Sequence, residues 1–179
     1  MFGLGQFGHE AVGEGTRQKL EVGGGGCSAA HRALEEFLGR GDGWSENRIE
    51  ACENLDACFR KLGRKEEGLR ALLRSLEYGR PRAEICCGIG QHFMEREDWE
   101  TAAFWYELAL ESGRQETAGG FVREDCRGYI PHMQLCVCCD RMGRHEEAYG
   151  HHLQAKKLRP EAAEVKYNEE YFRRMFEKN

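Results

Sequence analysis

Apolar and polar positions do not alternate along any notable stretch of this chain; apolar residues recur instead every three or four positions, the spacing of one face of a helix. Only three prolines interrupt it, at 81, 131 and 160, and between them Ala, Leu, Glu, Arg and Lys dominate. From about residue 28 onward the pattern predicts helix throughout, an all-α fold.

The helical pattern also repeats. The segment from Cys52, "CENLDACFRKLGRKEEGLRALLRSL", aligns without gaps with the segment from Cys86, "CCGIGQHFMEREDWETAAFWYELAL", at a spacing of 34 residues. In that register Cys52, Leu55, Asp56 and Phe59 match Cys86, Ile89, Gly90 and Phe93, followed by a turn at Gly63 or Glu97. Gly68, Leu72 and Ser75 then match Ala102, Tyr106 and Ala109. A third copy, displaced by a 12-residue insertion, runs through His132, Leu135, Cys136 and Cys139, turns at Gly143, and continues through Ala148, His152 and Ala155 to Pro160. This is the tetratricopeptide pattern, in which small residues let two antiparallel helices approach and large ones fill the space between successive pairs.

The pattern predicts repeats near 49–82, 83–114 and 129–162, an inserted loop at 115–128, and a capping helix at 161–177 built on Val165, Tyr167, Tyr171, Phe172 and Met175. Upstream, Ala30, Leu34 and Phe37 have the spacing of the second helix of an earlier repeat. Twelve of the 23 glycines lie in the first 43 residues, and residues 1–27 are expected to be disordered or poorly packed. Residues 28–179 form the repeat domain.

Charge and cysteine content narrow the function. Lys and Arg number 26 against 31 Asp and Glu, a net charge of −5, without the basic excess of a nucleic-acid footprint. No run reaches the roughly 18 apolar residues of a membrane span, and "MFGLGQFGHEAVGEG" lacks the pattern of a secretory signal. A cytoplasmic protein with nine free, mostly buried cysteines is expected.

The densest chemistry is "QLCVCCDRMG". His132, Cys136 and Cys139 share one helix face and could supply zinc ligands, but the same positions form the core stripe of the third repeat, where cysteine acts as a small hydrophobe. Packing is the expectation, and no metal or cofactor is assigned. Cys138 lies off that stripe and is the thiol expected to be more exposed. In the insertion, Phe121 and Tyr129 are expected to pin the loop and Pro131 to start the next helix. Neighbouring glutamates, Glu66 with Glu67 and Glu146 with Glu147, suit the positive ends of second helices. No Walker loop, GxSxG, HExxH or DxD occurs, and no catalytic residue is assigned.

What remains is a groove. First helices of such arrays line a concave face, which here falls on Glu53, Ala57, Arg60 and Lys61; Cys87, Gln91, Met94 and Glu95; and Met133, Val137, Asp140 and Arg141. Of these, Arg60, Lys61, Gln91, Met94, Glu95, Met133, Val137, Asp140 and Arg141 are the residues expected to hold a protein or peptide partner or a second copy of the chain. A small zinc or thiol-redox protein built on the third repeat is the alternative.

The strings "RSLEYGRPRAEICCGIG", "FWYELALE", "DCRGYIPHMQLCVCCDRMG" and "KYNEEYF" resemble the C-terminal tetratricopeptide region of bacterial family 2 glycosyltransferases, over about residues 28 to 172. The resemblance implies a nucleotide-sugar transferase domain of GT-A type with a metal-binding DxD, none of which lies in this sequence, so no catalytic residue carries over. It implies a non-catalytic accessory region, with a glycosyltransferase or its acceptor as partner, and a repeat region detached from its enzyme.

Overall fold

The computed structural model describes residues 24–41, 43–115 and 123–177. Among them are eight helices and no strands: α1 (Gly24–Arg40), α2 (Ser45–Lys61), α3 (Lys65–Arg74), α4 (Ala83–Met94), α5 (Trp99–Gln115), α6 (Tyr129–Arg141), α7 (His145–Leu158) and α8 (Ala163–Phe176). Short 3₁₀ segments occupy Ser75–Glu77 and Glu124–Arg127.

The three sequence copies are three helix pairs, α2 with α3, α4 with α5 and α6 with α7, each joined by the same tight turn. Leu62, Arg96 and Met142 are each followed by a residue with a left-handed backbone: Gly63 at φ 73°, Glu97 at 59° and Gly143 at 76°. In each turn one backbone N–H then reaches back five residues, Arg64 to Phe59 at 2.8 Å, Asp98 to Phe93 at 3.0 Å and Arg144 to Cys139 at 2.8 Å. Those bonds satisfy carbonyls that the helix end leaves open.

Each pair closes on the stripe the register identified. Leu55, Leu72, Ile89, Tyr106 and Leu135 are buried, as are Cys52, Cys86 and Cys136, each fully. Gly90 earns its place by close approach: a Cβ there would lie 2.9 Å from Cε2 of Tyr106. The largest apolar cluster joins α4, α5 and α6 to Cys126 and Phe172, so the second and third copies share one core. Such pairs cannot bury their apolar faces alone, and stacking supplies the missing partner.

The ends differ from the middle. Helix α1 starts at Gly24, inside the segment set aside on composition, and its Cys27 is buried; apolar packing on α2 overrides the weak helix propensity of glycine there. Ala30, Leu34 and Phe37 are only half-buried, whereas the matching residues of α3, α5 and α7 are buried. Helix α8 buries Val165, Asn168 and Phe172, while its outer side carries ion pairs, Glu169 with Lys156 and Glu170 with Arg173 and Arg174. A charged outer face is what an array needs at its end.

Candidate functional site

The cysteine-rich helix is core. Nδ1 of His132 lies 3.0 Å from Nδ1 of His151 on α7. Among the described residues no three His, Cys, Asp or Glu side chains are arranged to hold a metal ion. Cys138 corrects the sequence reading, because it is fully buried rather than exposed. Helix α6 is enclosed by α5, α7 and the 123–128 segment, so a position off the pair-facing stripe still meets a neighbour. Burial pushes the thiols of Cys52 and Cys139 up to about 11 and that of Cys138 up to about 12, with Cys136 higher still. Such thiols are poor nucleophiles and poor ligands.

The nine expected groove residues divide by burial. Met94, Met133, Val137 and Asp140 are buried, at 8%, 6%, 3% and 8% exposure, and are not surface for a partner. The reason is tertiary: successive first helices lie side by side, and α8 covers the last. Met94 and Val137 join the central core, Met133 packs with Tyr129, Ala155 and Val165, and Asp140 accepts hydrogen bonds from Tyr171 at 2.9 Å and from Nδ1 of His145 at 3.0 Å.

Arg60, Lys61, Gln91, Glu95 and Arg141 remain at or near the surface. Glu95 is the hub: it pairs with Arg60, sits 2.9 Å from Nζ of Lys65, and accepts a 3.4 Å bond from Nε2 of Gln91. Partial burial would raise its pKa, but Lys65 and Arg60 outweigh that and hold the carboxyl below its ordinary value. Arg141 lies over the ring of Trp99, 5.5 Å from its centroid. With Lys61 and Lys65 exposed, this end of the first helices is a polar surface in which cations outnumber the central carboxylate.

The other end of the groove is covered by the chain itself. Residues 123–128, the described end of the insertion, form a strap over the first helices. The backbone N–H of Arg123 donates to Oε1 of Glu84 at 2.7 Å, and its guanidinium pairs with Glu53 of α2. Cys126 is buried, and the thiol of Cys87 lies 3.7 Å from its carbonyl oxygen. Beyond it, Arg159 holds Asp125 and stacks over Tyr129, 4.6 Å from the ring centroid. Glu53 and Cys87, the opening groove positions of two copies, are therefore taken by the strap. Phe121 lies outside the described residues. Tyr129 is buried, at the start of α6, and Pro131 falls in that helix's first turn.

Two partnerships escaped sequence reasoning. Asp56, at a position where the other copies carry Gly90 and Cys136, is buried and bonded at 2.7 Å to Nε2 of the buried His92 on α4. Its signal was a carboxylate at a small core position. Arg123 carried no comparable signal, since nothing in an insertion's sequence marks its anchor.

No known protein family is matched by the sequence, and no curated protein is similar enough to stand as a relative. Solved structures do match in shape. One is the crystal structure of MamA, with a TM-score of 0.59 and 17% identity over 76% of this chain and 70% of that one. Another is MamA AMB-1, with a TM-score of 0.58 and 20% identity over 79% of this chain and 68% of that one. The fold is that of a tetratricopeptide-repeat solenoid, and at these identities the likeness speaks to the fold alone.

Proposed function

We propose that the chain is a non-catalytic module for protein interaction, which receives a segment of a partner protein on the polar surface formed by Arg60, Lys61, Gln91, Glu95 and Arg141. The observation that carries this reading is the division of the groove: one end is closed by the strap, and the end left open is lined by charged and amide side chains, of which Glu95 holds Arg60 and Gln91. Solenoids present extended surfaces rather than one enclosed pocket, which suits a chain segment better than a small substrate. Among those five residues, three cations around one carboxylate favour a segment bearing Asp or Glu.

The partner, on this reading, is a family 2 glycosyltransferase or the protein it modifies. Support comes from the strings "PRAEICC", "DCRGYIP" and "YNEEYF", which resemble the accessory region of such enzymes. The test is affinity capture from the native host with the full chain and with a Lys61→Glu, Arg141→Glu variant, followed by mass spectrometry and light scattering. Retention of a transferase or its acceptor by the parent chain, at least tenfold above the variant, is the expected result. Equal capture by both proteins removes this surface as the docking site. A parent chain that scatters as a stable dimer, and retains neither a transferase nor its acceptor, replaces the partner with a second copy.

A further inference from the structure

Nine cysteines occur in the chain, and Cys58 is the one that is not buried. Exposure would make Cys58 the first thiol to react. Proximity selects differently. Sγ of Cys87 lies 3.7 Å from the carbonyl oxygen of Cys126, and the two residues share one buried cluster. Cys87 sits on α4 and Cys126 in the four-residue 3₁₀ turn of the strap. The thiols on α6, by contrast, are fixed to one rigid helix and cannot meet one another.

We propose that Cys87 and Cys126 are a disulfide-forming pair, oxidised by exchange with a small-molecule disulfide, and that the bond tethers the strap across the first helices. In the first step the Cys126 thiolate attacks one sulfur of the small disulfide, forms a mixed disulfide and expels one small thiolate, which takes up a proton. In the second, Cys87 loses its proton to water and attacks the Cys126 sulfur, expelling the other small thiolate. Two protein thiols become one disulfide, and one small disulfide becomes two small thiols.

The order of attack follows from the surroundings. The neighbouring Cys87 thiol first, and then the positive charge of Arg123, outweigh burial and hold the Cys126 pKa below the ordinary thiol value. Burial keeps Cys87 well above that value, so it serves as the resolving thiol. Access requires opening a short turn, not a helix, and short irregular segments lie at the low end of local stability. A rival pair exists in Cys58 and Cys27, but burial and the Cys27 neighbour both raise the Cys58 pKa, which slows its attack.

The test is equilibration of the full, reduced chain with mixtures of reduced and oxidised glutathione, an acid quench, and peptide mapping. The expected product is one disulfide joining Cys87 to Cys126. It persists in Cys86→Ser and disappears in Cys126→Ser, while Cys87→Ser stops at glutathione bound to Cys126. Circular dichroism of each variant separates lost chemistry from lost folding, and mapping of the parent chain decides the question without them. A Cys27 to Cys58 bond formed in preference, or glutathione on Cys58 with Cys87 and Cys126 both free at every ratio, overturns the proposal.

Discussion

At the scale of single residues, the helix pairs depend on a few close approaches that tolerate no added atom. Gly90 faces the ring of Tyr106 so closely that a Cβ would stand 2.9 Å from Cε2 and 3.0 Å from Cζ. Tyr106 is buried on every side and cannot retreat. Gly90→Ala is therefore expected to cost about 1–3 kcal/mol, a fall of about 2–4 °C in thermal midpoint per kcal/mol for a chain of this size. A variant melting with the parent would refute the packing described. The first copy meets the same constraint with a different residue: Asp56 fills the small position, and a Cβ on Gly68 opposite would come within 2.5 Å of its Oδ1. The alignment shows that Asp56 departs from the pattern. Its partner His92 lies 36 residues on, in no shared motif, and only the stacking of α4 on α2 brings the two together.

At the scale of elements, the three turns form a comparison inside one chain. Gly63 and Gly143 adopt a left-handed backbone without a steric penalty, whereas Glu97 does so with a side chain, at φ 59°. Relief of that strain, less the extra freedom glycine gains when unfolded, makes Glu97→Gly expected to stabilise by about 0.5–1 kcal/mol. Chemical denaturation measures this, and a loss of stability would mean that Glu97 does something the backbone does not reveal. The turn was legible from the alignment of Glu97 with Gly63 and Gly143. The strap was not: its anchors are Glu53, Glu84 and Asp125 with Arg159, contacts that join four separate elements.

At the scale of the molecule, burial of imidazoles ties stability to pH. Burial lowers the pKa of His151, against the pull of Glu147, and of His152, against the pull of Glu169. The folded chain thus binds these protons less readily than the unfolded chain, and the stabilisation present above the ordinary histidine value of 6.5 is lost as pH falls through the lowered ones. Thermal midpoints are expected to drop between about pH 7.5 and about pH 5.5. His152→Leu, which places there the residue found at the matching Leu72, should flatten that slope. An unchanged midpoint across the range would exclude buried neutral histidines. Glu95 adds a second loss at more acidic pH, since its pKa is held down in the folded chain and protonation releases Arg60 and Lys65.

The sequence by itself determined the repeat: its period, the residues at each pair's contact, the turns, and the burial of Cys52, Cys86, Cys136 and Cys139. These follow from local periodicity, which a helix converts directly into a face. Tertiary structure alone decided which groove positions stay open. Met94, Met133, Val137 and Asp140 disappear beneath neighbouring helices, Cys138 with them, and the strap closes over Glu53 and Cys87. Whether a helix face meets water or another helix depends on what lies beside it, and here the neighbours are supplied by distant segments of the chain.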